Sequence, residues 1–255
     1  MRRRVKIIAL VGVVFFVSLP RNGAAQAKIE ESARVLFDSA NQNRTSRGIA
    51  ALKWDALLAE AAREHALRMA QRNTLSHQFP GEPDVATREE QAGARISVAA
   101  ENVAIGPSAA AIHAGWMNSP PHRHNLLDPR LNSVGIAVVQ RGRDLFAVED
   151  FSRALAVLSL EEQEKEIEAP IRAAGLSIRP GNDGARLVCQ VGYSGKINGS
   201  QPGFIAQFSS TNLSALPASL ESAIRSSKYV AAEVGACAKP SVDGLSEYHI
   251  AVLLY

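Results

Sequence analysis

Residues 134–151 restrict the fold more than any other stretch of the chain. Val134-Gly135-Ile136-Ala137-Val138-Val139 is rich in β-branched residues. Arg141-Gly142-Arg143-Asp144 reads as a turn, and Leu145 to Phe151 returns as a strand. Two such runs around a short glycine-containing turn make a β-hairpin. The segments before it carry the helical period instead. Ile29, Ala33, Leu36, Phe37 and Ala40 form one stripe over 29–43, and Leu58, Ala61, Ala62, His65 and Met69 form another, capped by Asp55 and running to about Arg72. Ser108 caps a third helix, with Ile112 and Trp116 facing inward and His113 at the boundary. Pro120-Pro121 stops that helix and suits the first turn of the next, which Asp128-Pro129 ends. Helices before and between strands predict a layered α/β/α unit.

Polar residues are set between these elements. Asn41 and Arg44, near the end of the first helix, read as ligands or as anchors for the following loop. His65, on an apolar face, reads as a metal ligand or as a packed, hydrogen-bonded core residue. His77 follows its helix, and Gln78 to Arg88, with Pro80, Gly81 and Pro83, reads as a loop. Glu101 interrupts the apolar run Ser97–Ala104 and reads as a paired site residue or as an anchor for backbone amides. Between Glu101 and Leu127 the chain also carries Trp116, Ser119, His122 and His124. Gly-x-Ser-x-Gly, His-Glu-x-x-His, Cys-x-x-Cys and a glycine-rich phosphate loop are all missing from the sequence.

The order of these pieces resembles the cysteine-rich secretory, antigen 5 and pathogenesis-related family (CAP or SCP domain), in its bacterial secreted branch. The resemblance spans about residues 30–152. It rests on Asn41-Gln42-Asn43-Arg44, Leu52-Lys53-Trp54-Asp55, Ala61-Ala62 to His65-Ala66, Ser76-His77 and Ala92-Gly93. It continues through Glu101-Asn102-Val103-Ala104-Ile105-Gly106, Trp116-Met117-Asn118-Ser119-Pro120, His122 to Leu127, Gly135-Ile136-Ala137-Val138 and Asp150-Phe151. It implies a three-layer α-β-α sandwich in an α+β chain, with a cleft of His77, Glu101, Ser119 and His122. Metal-binding members use two histidines and two acids. His77, Glu101 and His122 match three of those positions, and Ser119 stands where the second acid belongs. The resemblance therefore implies an open three-ligand Zn2+ site that binds weakly, with Asp84, Glu89, Glu90 or Glu149 as substitutes for the missing acid. Two functions follow from it. One is an exported binding module that engages a lipid, an envelope component or a protein partner. The other is a weak metal-assisted, peptidase-like hydrolase in the same cleft. A third reading makes His77, Glu101 and His122 a hydrogen-bonded network that only ties loops together.

The ends of the chain read differently. Arg2-Arg3-Arg4 and Lys6, the apolar run Ile7–Leu19 and Ala25-Gln26-Ala27 predict a signal peptide over 1–27. Its removal takes away five cations and no acids, so the formal charge falls from +3 to −2. The basic balance is then no argument for nucleic acid. The expected mature protein is soluble and exported, periplasmic or extracellular, with no transmembrane segment. The CAP-like unit is expected over 28–153 and a smaller α+β domain over 154–255. Ser159-Leu160-Glu161-Glu162 is a capping box for a helix presenting Leu160, Ile167, Ile171 and Ala174, kinked at Pro170. Strands are predicted at 185–192, 203–208, 229–238 and 248–255, with a helix at 217–225, in the order α-β-β-α-β-β. Residues 232–255 loosely resemble the hairpin at 133–151, which reads as coincidence. Cys189 and Cys237 are either one disulfide between two strands or two buried thiols.

Overall fold

A computed structural model of the protein describes residues 23–181, 183–192, 195–197 and 199–255. Most of the expected leader, residues 1–22, lies outside the described residues, and helix α1 (Gly23–Thr45) begins within its last five positions. The first unit continues with β1 (Lys53–Trp54), α2 (Ala56–Arg72), α3 (Val85–Gln91), β2 (Ile96–Gly106), α4 (Ala109–Asn118), α5 (Pro120–Leu127), β3 (Ser133–Arg141) and β4 (Asp144–Ala154). Its sheet runs β1-β3-β4-β2, with β1 parallel to β3 and the other pairs antiparallel. Alternate residues of each strand serve opposite faces. Ile136, Val138, Leu145, Ala147 and Phe151 meet α1, α4 and α5 through Leu36, Ala40, Ile112, Trp116 and Leu126. Ala137, Phe146, Val148 and Val103 meet α2 through Ala62, Ala66, Met69 and Ala70. This is the α-β-α sandwich.

The polar anchors of α1 act as the sequence allowed. Arg44 is fully buried and donates to Ala50 O at 2.8 Å, Leu126 O at 3.0 Å, Asp128 O at 3.0 Å and Leu131 O at 2.9 Å. Asn41 holds Leu52 through both its amide groups, at 3.1 and 2.7 Å. Together they fix β1 at the sheet edge and the exit of α5 beneath α1. Asp55 caps α2, Ser108 caps α4, and Ser159 with Glu162 forms the full capping box.

One expectation fails here in part. The loop assigned to 78–88 ends early, because Asp84 accepts from Thr87 N at 2.9 Å and starts α3. That short helix buries Arg88 and Glu89.

The second unit comprises α6 (Leu160–Ala173), β5 (Ser177–Ile178), α7 (Asp183–Val191), β6 (Phe204–Ser210), α8 (Ala218–Arg225), β7 (Ala231–Cys237) and β8 (Tyr248–Leu254). Three expectations are corrected. Of the strand expected at 185–192, residues 185–191 belong to a helix instead, because Ala185, Val188 and Cys189 are buried at helical spacing. The exposed Leu187 and Val191 had imitated a strand. Ala174 is exposed at the end of α6, off its apolar face. Pro170 sits in the last turn, and the helix runs on to Ala173. The order is therefore α-β-α-β-α-β-β.

That order repeats the first unit. The sheet runs β5-β7-β8-β6, with a two-residue edge strand parallel to β7 and the other pairs antiparallel. In each unit the helix after the short strand lies directly on a glycine of the hairpin. A Cβ on Gly135 would meet Ala59 N at 2.0 Å, and one on Gly235 would meet Arg186 N at 2.2 Å. The likeness of 232–255 to 133–151 is thus a shared topology and not coincidence. It also places the cysteines. Ala62 on α2 and Ala137 on β3 share one apolar cluster, each at a fixed distance from that glycine contact. At the matching places Cys189 on α7 and Cys237 on β7 form a disulfide, with Cα atoms 5.8 Å apart. The bridge joins a helix to a strand.

The two units touch. Leu155 N donates to Arg95 O at 2.8 Å, Ser246 N donates to Ile96 O at 2.7 Å, and Leu245 packs beside Leu58 and Ile96. Among the described residues no helix is long and apolar enough to cross a membrane.

The first unit fills the bridge positions with alanines, so the doubly substituted Cys189→Ala, Cys237→Ala protein should still fold. It should lose up to about 4 kcal/mol of stability, the loop-closure value for a 48-residue separation. Urea unfolding monitored by circular dichroism reads this. A variant without a cooperative transition contradicts the assignment, as does one as stable as the parent.

Candidate functional site

Glu101 sits in the middle of β2, opposite Asp150 of β4, on the face that α2 covers. It is 7 % exposed. Its two oxygens have different partners. Oε1 lies 2.7 Å from His77 Nδ1, and Oε2 forms an ion pair with Nη2 of the buried Arg88. Arg88 Nη1 also donates to His77 O at 3.2 Å and Pro83 O at 3.1 Å, which ties the 77–83 loop to α3. Behind them His65 is fully buried. Its Nδ1 lies 2.8 Å from Glu82 Oε1, its Nε2 lies 2.7 Å from Ser76 O, and the same Nε2 is 3.8 Å from Glu101 Oε2. His65 is a core residue, the second of its two sequence readings, and it fixes the peptide just before His77.

The second histidine comes from the other side of the strand. Ser119 ends α4 and precedes α5, but its hydroxyl makes no capping bond to the helix. Its Oγ lies instead 2.9 Å from His122 Nδ1. Asn102, next to Glu101, donates to His122 O at 3.1 Å, and Asn125 donates to Glu101 O at 3.1 Å. Loop 77–83, β2 and α5 are thus held together by side chains that neighbour one another on Glu101-Asn102.

The two histidines are set apart electrostatically. The hydrogen bond that His77 donates to Glu101 raises the pKa of His77, against the effect of burial. Burial lowers that of His122, and the charge of His77 lowers it further. His77 remains 61 % exposed at its side chain, so it can meet a ligand.

Beneath Glu101 lies a set of buried acids. Burial pushes Glu89 to about 10, with Asp150 adding to the rise. Burial likewise raises Asp150, helped by Glu101, and raises Glu149. Of the substitutes considered for the missing fourth acid, none joins the histidines. Asp84 caps α3, and Glu89 is fully buried. Glu90 bonds Ser241, and Glu149 sits beside Asn102 on the opposite sheet face.

Among the described residues no three His, Cys, Asp or Glu side chains are grouped as a metal site. His77, Glu101 and His122 are therefore not assembled as the expected zinc ligands. Arg88 gives a reason, since a guanidinium on Glu101 opposes a second cation at the same carboxylate.

A cavity of about 330 Å³ opens beside His122. Val103, Ile105, Ile112 and Trp116 line it, with Ser119 and His122 as its polar end.

Sequence reasoning found His77, Glu101, Ser119 and His122, and the structure places them around β2. It missed Arg88, whose signal was its position four residues after the capping Asp84. It also missed the roles of Asn102 and Asn125, which stand beside Glu101 and His124 in the sequence.

Comparison with known proteins fits this layout. Residues 37–151 match the model of the CAP, cysteine-rich secretory protein family. Two Bacillus subtilis (strain 168) proteins are similar to this region. One is the uncharacterized protein YkwD, 27 % identical over 47 % of this chain and 47 % of its own length. The other is the uncharacterized membrane protein YlbC, 32 % identical over 42 % of this chain and 31 % of its own. The chain thus spans less than half the length of either curated relative. A solved extracellular protein of Bacillus anthracis str. Ames containing an SCP domain is 28 % identical, with a TM-score of 0.48. That match covers 53 % of this chain and 45 % of that one.

The raised pKa of Glu89 yields a prediction. A carboxyl whose folded pKa lies above its unfolded value favours folding most below the unfolded pKa, and that contribution is lost as pH rises toward the folded one. For Glu89 the window runs from about 4.5 to about 10. Glu89→Gln keeps the shape and cannot ionise. It should therefore raise the melting temperature at pH 8, with the gain shrinking toward pH 4. A gain that grows at acid pH contradicts the assignment.

Proposed function

We propose that this CAP-domain protein is an exported binding module whose cleft takes a ligand with an apolar chain and a polar or acidic head. The observation that supports this most is the composition of the 330 Å³ cavity, apolar along Val103, Ile105, Ile112 and Trp116 and polar where Ser119 meets His122. Ligand sites of this kind are mostly apolar, with a few placed polar groups that fix orientation. His77, raised toward its charged form by Glu101, supplies the positive charge nearby. A fatty acid or a similar lipid of the cell envelope has that pattern. A second apolar groove of about 460 Å³, between α1 and α2 and bordered by Phe37 and Trp54, offers a competing seat.

A second reading, hydrolysis, has one observation in its favour. The Ser119 hydroxyl is hydrogen-bonded to a histidine that burial keeps toward its neutral form. A neutral imidazole on a hydroxyl is the beginning of a nucleophile and base pair. The first two helical positions after Ser119 are prolines, which lack N–H groups, so α5 supplies little to hold an oxyanion. Binding is the better supported of the two.

The fluorescent fatty acid cis-parinaric acid tests the proposal. It should bind saturably to the full protein. Gly115→Leu, which builds a side chain at the wall of the cavity, should weaken it by about tenfold or more, equivalent to about 1.4 kcal/mol. Trp54→Ala should leave it unchanged. Loss of binding in Trp54→Ala with none in Gly115→Leu moves the ligand to the other groove and overturns the proposal. Covalent labelling by a fluorophosphonate, abolished by Ser119→Ala, establishes the hydrolase reading instead.

A further inference from the structure

The shared topology of the two units allows them to be compared position by position. Where Glu101 pairs with Asp150 and then with Gly135, the second unit has Gln207, Ala251 and Gly235. One register step further, the cross-strand triple of the first unit is Val103, Val148 and Ala137. In the second it is Ser209, His249 and Cys237. The covering helices differ in length, with 17 residues in α2 and 9 in α7. In the first unit Met69 and Ala70, on the second half of α2, close over Val103 and Val148 and keep that part of the sheet dry. α7 ends at Val191, two positions after Cys189, and among the described residues no helix covers the same part of the second sheet.

The uncovered part is concave. A cavity of about 580 Å³ lies there, lined by Cys189, Gln207, Ser209, Lys239 and His249 among others. Among the described residues no carboxylate lines it. Ser209 Oγ lies 3.0 Å from His249 Nδ1, which leaves Nε2 as the second nitrogen of the ring. Lys239 is close enough to disfavour the charged form of His249, after burial, while Glu247 acts in the opposite sense. Among the described residues Lys239 has no ion-pair partner. Polar residues on a merely wet sheet face carry mixed charge. Here a lysine, a histidine and a hydroxyl surround one cavity with no acid in its lining.

We propose that this cavity, between the end of α7 and the floor of β6 and β8, is a second ligand site that binds a phosphate-type anion through Lys239, His249 and Ser209. Lysine serves phosphate as a compact charge with three donors. With the Ser209 hydroxyl donating to Nδ1, the His249 ring presents Nε2–H as a directional donor to the anion. The site is independent of the first unit's cleft, which faces a different sheet. The anion is a free phosphate compound or the headgroup of a phospholipid, since both present the same oxygens.

Calorimetry and histidine NMR on the full protein test it, with inorganic phosphate in one arm. Vesicles of phosphatidic acid, with phosphatidylcholine vesicles as control, form the other. Phosphate should bind saturably and shift the His249 ring signals while leaving His77 and His122 in place. Lys239→Ala should weaken it by about tenfold, and Ser209→Ala by less, with the melting temperature of both variants unchanged. Saturable binding of phosphate alone assigns a soluble ligand, and binding to phosphatidic acid vesicles alone assigns a headgroup. A non-saturating response, or equal binding by wild type and Lys239→Ala, overturns the proposal. If Lys239→Ala is poorly folded, Ser209→Ala with unchanged affinity and an unmoved His249 signal overturns it as well.

Discussion

The Glu101 carboxylate is the interaction on which the first unit depends. It is buried at the centre of a strand and ion-paired with a buried arginine. Removing one partner of such a pair leaves an uncompensated charge out of water, at a cost of about 3–5 kcal/mol. Arg88 must therefore come to β2, and it brings α3 and the 77–83 loop with it through His77 O and Pro83 O. The other oxygen of Glu101 orients His77 at the surface. The neighbouring Asn102 reaches the opposite way to His122. A single dipeptide thus sets the position of both cleft histidines, and burial raises the pKa of the acids packed around it.

A different constraint links the two halves of the chain. A helix seated on a hairpin glycine allows no Cβ at Gly135 or Gly235. Given that contact and a two-residue parallel edge strand, the remaining order of strands follows in both units. What differs is how far the helix extends. Where it is long, the sheet below is valine and alanine. Where it stops early, the same positions turn polar, and the second unit keeps none of the Glu101 network. Gln207 stands in its place and bonds Val188 O on the short helix. Similar scaffolds can in this way carry separate surfaces.

Much of this was legible in the sequence. The hairpin was read from its β-branched runs, and the caps at Asp55, Ser108 and Ser159 from local chemistry that tertiary packing does not alter. His77, Glu101 and His122 stood out because they fall outside apolar stripes. Arg88 did not, because its partner lies 13 positions away and a buried arginine in a polar stretch looks like any surface charge. α7 was misread because Leu187 and Val191 are apolar but exposed, which hid the helical spacing of Ala185, Val188 and Cys189. The same holds for the surroundings of the residues expected to bind zinc. Residue types named the ligands, and only the fold revealed the guanidinium already on the carboxylate.

The central claim is that Glu101 shifts His77 toward its charged form, while burial and the charge of His77 shift His122 toward its neutral one. Nitrogen NMR of the imidazole rings across a pH titration of the wild-type protein measures this directly. The account predicts that His77 titrates above the ordinary value of about 6.5 and His122 below it. Two histidines titrating together near that value, or in the reverse order, would contradict it.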